Sequence, residues 1–308
     1  MKENTDLRRL LINICLPAVI LLYLVAGLFP EEASGLEKVR PLNKLTVEIV
    51  PHEIPIGGIA IARIKTSDSS RVSSLSFLGR EIPVFPDQAP GSYSALIGAG
   101  MKAKPGTYQL TVCMEGHPDR NVVGSEVSII SREFPEERLT LPDKMVEFSP
   151  DVLKRVIADQ KAVNETCSMI TDEIYWKPPF VWPVKSKILS PYGFRRILNG
   201  RPRSPHSGID LRAPEGTPVL ASNSGRVVLI REGYLIGRTI ILDHGGGLFT
   251  IYVHLSSYAV QHGKEVQRGQ VIGYSGSTGR ATGPHLHWGV SLLGNRLDPE
   301  ALMSLLGP

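Results

Sequence analysis

The chain has 308 residues, a length typical of two or three domains. Charged residues make up 21% of it and hydrophobic residues 42%, which excludes a disordered chain, a collagen-like chain and a polytopic membrane protein. Three cysteines are too few for a disulfide framework or a four-cysteine zinc site. Any bound metal must therefore be held by nitrogen and oxygen atoms.

The basic charge is concentrated in the last part of the chain. Residues 1–180 carry 20 basic and 23 acidic side chains, whereas residues 181–308 carry 14 basic and 7 acidic ones. A basic surface favours an acidic partner, although a merely solvated basic face is an alternative. Since no helix-turn-helix, zinc-finger or RNP motif accompanies the charge, we expect no nucleic-acid partner; a polyanionic surface and a solvated basic face remain as alternatives.

The amino terminus contains an uncharged apolar run of 20 residues, 10–29. As a helix this run would span about 30 Å, which is the hydrocarbon core of a bilayer. Basic residues precede it and two glutamates follow it, so the body of the protein is predicted to be exported to the cell envelope, on the periplasmic side. We expect segment 1–30 to be a signal anchor in the bacterial inner membrane, with a cleaved signal peptide as the alternative.

Residues 42–132 show short alternating runs of apolar and polar residues, separated by turn-forming residues. This pattern is typical of strands. Some seven runs in about 90 residues predict a small antiparallel sandwich of immunoglobulin-like size. We expect it to serve in binding or as a spacer.

Residues 133–180 are predicted to be a linker with one helix. The sequence Ser-Pro-Asp at 149–151 supplies a capping hydroxyl, a first-turn proline and an acid, which together favour a helix start. Prolines in segment 174–183 exclude helix there and favour an extended crossing. The aromatic residues of this segment could line a groove or pack at the domain junction, and packing is favoured; they are Trp176, Phe180 and Trp182.

Cys113 and Cys167 would both be exported, so a disulfide between them could persist. Two separate buried thiols are the alternative, and the sequence does not distinguish between the two states.

Residues 181–308 form a second predicted all-β unit, rich in glycine and poor in helix. This unit contains six of the eight histidines. His285 and His287 flank Leu286 in a strand-like run, so their imidazoles should share one face. The alternative is a solvated strand face without a metal.

His206 and Asp210 lie four residues apart in a run with Gly208 between them. A straight strand would hold them about 13 Å apart, which is too far for ligands of one ion. The backbone must therefore bend, and Gly208 permits the bend. A surface loop without a metal is the alternative for this pair alone.

His254 ends an apolar strand and adds a third imidazole to the candidates. His244 and His262 lie beside glycines and are predicted to be turn residues outside the site. The chain has no H-E-x-x-H, G-x-S-x-G or P-loop motif. What remains is a histidine and aspartate zinc site with an open position.

Four motifs in order carry a family resemblance: SPYGFRR, PHSGID, YVHL and GYSGSTGRATGPHLHWGV. Over about residues 185–300 the chain resembles the lysostaphin and LytM-type zinc endopeptidases, which cut peptidoglycan peptides. The resemblance implies an antiparallel β catalytic domain over residues 181–308. It also implies cleavage of stem peptides or cross-bridges for cell-wall remodelling.

By the same resemblance, His206, Asp210 and His287 hold one Zn²⁺ per chain. His254 and His285 act on the substrate without being primary ligands. Spacing alone leaves open which of His285 and His287 is the ligand, and which non-ligand histidine is the base.

Some relatives in this family have lost ligand positions and only activate other hydrolases. A non-catalytic wall-binding module that activates a cell-wall amidase is therefore the main alternative, but this chain keeps all five positions. A lipoyl-type carrier is disfavoured because Lys264 has no adjacent methionine. Tyr192 and Arg195 could shape the substrate groove or form a packed turn. The linker, residues 133–180, could fold over the groove and keep the enzyme latent.

Overall fold

The structure is a computed structural model that describes residues 45–66, 71–115, 117–143 and 148–308. The membrane helix predicted within residues 1–30 lies outside these residues. Among the described residues, no helix combines the length and apolar character needed to cross a bilayer. Leu42–Pro308 form one compact unit.

The first described part, residues 45–130, is all β. Its strands are β1 (Leu45–Val50), β2 (Glu53–Pro55), β3 (Ile59–Thr66), β4 (Val72–Phe77), β5 (Arg80–Pro83), β6 (Phe85–Pro86), β7 (Ser92–Gly98), β8 (Gly106–Met114) and β9 (His117–Ile130). Two of these, β2 and β6, have only two or three residues, too few to show an alternating pattern. The sequence therefore predicted about seven strands where the described residues form nine.

These strands form two sheets around a shared apolar core. One sheet has the order β1-β3-β7-β6 and the other β2-β9-β8-β4-β5. The pair β2 and β9 is parallel, whereas the other pairs in these two sheets are antiparallel. The side chains between them include Ile54, Ile64, Leu75, Ile97 and Leu110, all fully buried.

The connecting segment contributes one strand and one helix, β10 (Glu136–Leu139) and α1 (Pro150–Cys167). The helix begins where predicted, and the Ser149 hydroxyl accepts a hydrogen bond from the Val152 amide. Its inward face contains Asp159, Val163 and Cys167. The Asp159 carboxylate accepts hydrogen bonds from the Arg231 guanidinium and the Tyr234 amide, both at 2.7 Å. This ion pair, in which only the Asp159 carboxylate is buried, links the helix to the strand Gly225–Gly233.

Both described cysteines are free. Cys167 is the last residue of α1 and is buried, and Cys113 lies in β8. Of the two alternatives left open by the sequence, separate thiols are therefore correct.

The last part, residues 188–306, contains twelve strands and one helix. They are β11 (Ile188–Ser190), β12 (Arg195–Leu198), β13 (Arg201–Pro202), β14 (Ile209–Arg212), β15 (Pro218–Leu220), β16 (Gly225–Gly233), β17 (Gly237–Gly245), β18 (Leu248–Tyr258), β19 (Glu265–Val266), β20 (Val271–Ser275), β21 (His285–Leu292), β22 (Asn295–Leu297) and α2 (Pro299–Leu306). The linker strand β10, which has no alternating pattern, pairs in parallel with β12. The structure thus agrees with a mostly β chain that has little helix.

Ten of these strands form one sheet, in which β11-β14-β21-β18-β17-β16-β19 are successive neighbours. Along β21, Leu286, Trp288 and Val290 point into the main core. The intervening residues, His287 and Gly289, therefore lie on the opposite face. Helix α1 packs on that second face through Val163 and Cys167, next to Ile251 of β18.

The aromatic segment of the linker packs against this core. Phe180 is fully buried, and its ring lies 5.8 Å from that of Trp176. The Trp182 ring lies 5.6 Å from that of Trp288. These rings therefore pack in the core, as the favoured alternative of packing predicted, and the domain junction itself stays a prediction.

Candidate active site

His206, Asp210 and His287 come together at one end of β14 and β21. The Nε2 atom of His206 lies 3.0 Å from Oδ1 of Asp210 and 2.9 Å from Nδ1 of His287. The third side, from Nδ1 of His287 to Oδ1 of Asp210, is 2.9 Å. Three atoms that can bind a metal thus form a nearly equilateral triangle, and they are a possible metal-holding group among the described residues.

Strand register produces this triangle. Asp210 and His287 are direct cross-strand partners of antiparallel β14 and β21. His206 precedes β14, outside the strand, because the chain bends at Gly208. A Cβ atom on Gly208 would lie 2.4 Å from the Trp288 carbonyl oxygen and 2.9 Å from Nε2 of His287. Only glycine fits there, as the bend argument requires.

The ring of His206 is oriented by the chain before it. Its Nδ1 atom donates to the carbonyl oxygen of Pro191 at 2.9 Å. In the neutral ring this leaves the lone pair on Nε2, which is the atom in the triangle. Burial by itself raises the pKa of the Asp210 carboxyl, but its contacts with His206 and His287 reverse that effect and hold the pKa well below its usual range.

The donor set fits a zinc ion. Three ligands at about 2.0–2.2 Å from a tetrahedral ion would lie about 3.3 Å from one another. The observed triangle needs an expansion of only a few tenths of an ångström. Nitrogen and carboxylate oxygen are common zinc donors, and a set of three leaves a fourth position for water or substrate.

His254 reaches this site because β18 contains a bulge. Leu255 pairs with Arg238 and Tyr252 with Ile240, so two residues of β18 stand opposite one of β17. Regular alternation would place His254 on the core side, since Val253 already faces the site side as the partner of His287. The bulge re-aims the imidazole, and His254 has a positive φ of 65°, which is unusual for a residue with a side chain.

His254 and His285 form a second pair of imidazoles, with ring centroids 4.8 Å apart. The Nδ1 atom of His254 donates to the Thr278 carbonyl at 2.7 Å, and Nδ1 of His285 donates to the Gly283 carbonyl at 2.8 Å. In the neutral form of either ring, this bond leaves Nε2 as the proton acceptor. The Nε2 atom of His285 is 3.8 Å from Oδ1 of Asp210.

The pKa of His254 is lowered to about 3, first by burial and then by the charges of His287 and His285. His254 is consequently neutral near neutral pH.

Other predicted positions lie elsewhere. His244 belongs to β17 and is fully buried, so the turn prediction was wrong for it. Its Nδ1 donates to the Ser224 carbonyl, and Nε2 contacts the Thr250 hydroxyl, both at 2.7 Å. The adjacent glycines suggested a turn, but the strand continues to Gly245 before turning. His262 does lie in a turn.

Tyr192 is buried, and its hydroxyl donates to the Arg296 carbonyl at 2.8 Å. Its ring packs edge-on against Phe134 of the linker. Tyr192 thus forms a packed turn and does not line a groove. Arg195 is exposed at the start of β12.

The sequence did not reveal the groups that orient the histidines. These are backbone carbonyls of Pro191, Thr278 and Gly283, and a carbonyl has no residue-specific signature. The Thr278 hydroxyl accepts from the Arg238 amide at 2.9 Å and donates to the Leu255 carbonyl at 2.8 Å. The one sequence signal for a role of Thr278 was its place in the glycine-rich run before His285.

Comparison with known proteins agrees with this geometry. Residues 204–299 match the family model described as Peptidase family M23. The catalytic domain of the antimicrobial peptidase lysostaphin from Staphylococcus simulans is 33% identical, with 42% of this chain and 99% of that chain covered and a TM-score of 0.37. Residues 204–299 of the chain belong to peptidase family M23.

Other relatives extend beyond this domain. The peptidoglycan DD-endopeptidase ShyA of Vibrio cholerae is 44% identical over 120 residues, which are 38% of this chain and 28% of that protein. A Pseudomonas aeruginosa crystal structure assigned to peptidase M23 is 28% identical, covers 81% of this chain and 94% of that chain, and gives a TM-score of 0.64. The M23 chain described here thus spans little more than a quarter of its curated relative, but most of the fold is shared with the solved structure.

Proposed function

We propose that this M23 chain is a zinc-dependent endopeptidase that hydrolyses peptide bonds in peptidoglycan stem peptides or cross-bridges during cell-wall remodelling. The observation that carries the proposal is the pairing of a His-Asp-His triangle with two further imidazoles whose Nε2 atoms are free to accept a proton. The name of ShyA, a peptidoglycan DD-endopeptidase, supports the substrate class.

In the mechanism, His206, Asp210 and His287 would hold Zn²⁺. A zinc ion held by two neutral imidazoles and one carboxylate supplies Lewis acidity to a substrate carbonyl and lowers the pKa of water to about 7. His254 and His285 would take the proton of the attacking water at Nε2 and return one to the leaving amine. Their Nδ1 bonds to backbone carbonyls keep each ring turned for that task.

The remaining assignments extend the proposal to the whole chain. The excess of basic residues in 181–308 would favour the polyanionic wall. Segment 1–30 would anchor the protein in the bacterial inner membrane, with the catalytic part in the periplasm. The two-sheet unit of residues 45–130 would be an immunoglobulin-like sandwich that binds or spaces the catalytic unit.

The main alternative is a non-catalytic module that activates an amidase. Such a module has no need for correctly oriented non-ligand imidazoles. Here both His254 and His285 are oriented by short hydrogen bonds, and one of them also has a left-handed backbone conformation. These features favour an enzyme.

Release of dye from labelled, purified sacculi tests the proposed function. The full chain should release dye, lose this activity with chelator and regain it when zinc is added back. The His254→Ala variant should stay inactive under all three conditions. Release that is insensitive to chelator, or an absence of release by the zinc-loaded wild type, would contradict the proposal.

A further inference from the structure

Arg296 lies on the same face of the sheet as the metal triangle. It belongs to the edge strand β22 and is the direct cross-strand partner of Ser291 in β21. Along β21 the residues 287, 289 and 291 alternate with the core-facing ones. Since cross-strand partners project to one face, the Arg296 side chain projects to the side on which His287 lies.

The guanidinium group of Arg296 lies next to Gly289. A Cβ atom on Gly289 would lie 3.8 Å from Nη1 of Arg296 and 3.7 Å from the carbonyl oxygen of Ser207. Gly289 follows His287 by two residues, which is about 7 Å along a strand. Nη1 of Arg296 is therefore near Gly289, two strand residues or roughly 7 Å along β21 from His287.

Arg296 has no acidic partner among the described residues. Arg132 pairs with Asp298 and Arg231 with Asp159, each at 2.7 Å, although these arginines are one-third exposed. Arg296 is half-buried, and burial lowers the pKa of its guanidinium. A partly desolvated cation without a counter-charge costs free energy, which an incoming anion would recover.

We propose that Arg296 binds a carboxylate of the substrate peptide, two or three residues from the cleaved bond. The distance follows from the rise of about 3.3 Å per residue in an extended peptide. A guanidinium can hold a carboxylate through two parallel hydrogen bonds, which adds geometric selectivity. The inference rests on the proposed function and adds a preference for stem peptides with free carboxyl groups over amidated ones.

A structural role for Arg296 makes a different prediction. Its guanidinium also lies near Cys167 at the end of α1, so it could simply support the helix. In that case its replacement would lower the melting temperature and impair cleavage of every substrate alike. A carboxylate-binding role predicts a loss confined to the substrate that carries the charge.

The test compares cross-linked muropeptide dimers with free and with amidated carboxyl groups. Wild type should favour the free form, and Arg296→Gln should lose about 10- to 100-fold in kcat/KM on that form, mainly through KM, with little change on the amidated form. On the free form, Arg296→Lys should have a kcat/KM between those of wild type and Arg296→Gln. Arg226→Gln, which alters an exposed arginine of β16, is the matched control.

Binding of the same two dimers to chelator-treated protein gives a readout without turnover. Free dimers should bind wild type more tightly than Arg296→Gln, and amidated dimers should bind both equally. Equal cleavage of the two dimers by wild type, or an equal loss on both in Arg296→Gln, overturns the inference alone. If zinc-loaded wild type cleaves neither dimer, the proposed function fails as well.

Discussion

Asp210 and His287 are separated by 76 residues of chain but face each other directly across two antiparallel strands, with Oδ1 and Nδ1 2.9 Å apart. No short segment of the chain holds this pair together. The site therefore exists only when β14 and β21 are paired, and the unfolded chain has no comparable group. Metal binding should consequently be coupled to folding.

The proposed ligand and proton-transfer roles predict different behaviour in two alanine variants. His287→Ala should lose both zinc and cleavage of sacculi, because one corner of the triangle is missing. His254→Ala should retain about one zinc per chain and lose cleavage, because its imidazole lies outside the triangle. Elemental analysis and dye release measure the two properties. Wild-type digestion by His254→Ala would refute its role.

Gly208→Ala should disrupt the site through a clash. The new Cβ would meet the Trp288 carbonyl and Nε2 of His287 at less than 3 Å, so the backbone bend must shift. We expect loss of zinc and a destabilisation of about 1–3 kcal/mol. Gly289→Ala is the matched control, since its Cβ would meet no atom closer than 3.6 Å. If both variants bind zinc like wild type, Gly208 is not required for the bend.

Thr278→Val should slow turnover without releasing zinc. The change keeps the shape of the side chain and removes both hydrogen bonds of the hydroxyl, which hold the carbonyl that orients His254. We expect kcat to fall about 10- to 100-fold with KM nearly unchanged. Thr278→Ser keeps the hydroxyl and should restore most of the rate. Equal rates for the Val and Ser variants would contradict this role.

His244 should make the stability depend on pH. Its folded pKa is lowered to about 4 by burial, from 6.5, so the unfolded chain binds a proton more readily. Its contribution is complete above about pH 6.5 and is lost as the pH falls towards 4. Between about pH 7.5 and pH 5 the loss should be about 2 kcal/mol.

Urea unfolding at both pH values measures this effect. His244→Phe keeps a ring beside Phe180 but cannot titrate. It should be less stable than wild type at the higher pH, because two hydrogen bonds are lost. Its stability should change less between the two pH values, by about the amount assigned to His244. An identical pH dependence in both proteins would exclude His244 as the cause.

The sequence singled out five candidate site residues, and the signals for four of them are local. The alternation around Leu286 places His285 and His287 together, and Gly208 between His206 and Asp210 indicates a bend. In the structure, His206, His285 and His287 all approach the carboxylate of Asp210. The individual roles came from the family resemblance, since the spacing treats His285 and His287 alike.

What the sequence did not predict depends on contacts between distant segments. The inward position of Asp159 in α1 depends on Arg231, which lies 72 residues away and neutralises the buried carboxylate. The register shift before Leu255 depends on how β18 meets β17. The burial of His244 likewise follows from Ser224 and Thr250, which no local pattern links to it.

The extra residue in β18 has a consequence for engineering and for evolution. Deleting one position there would restore a regular ladder with β17 and remove an unfavourable dihedral angle, and the sheet would gain order. The same deletion would swing the imidazole of His254 towards the hydrophobic side. Removing the bulge from β18 to raise the melting temperature should therefore lower kcat. Natural variants that remain catalytically active should keep the bulge.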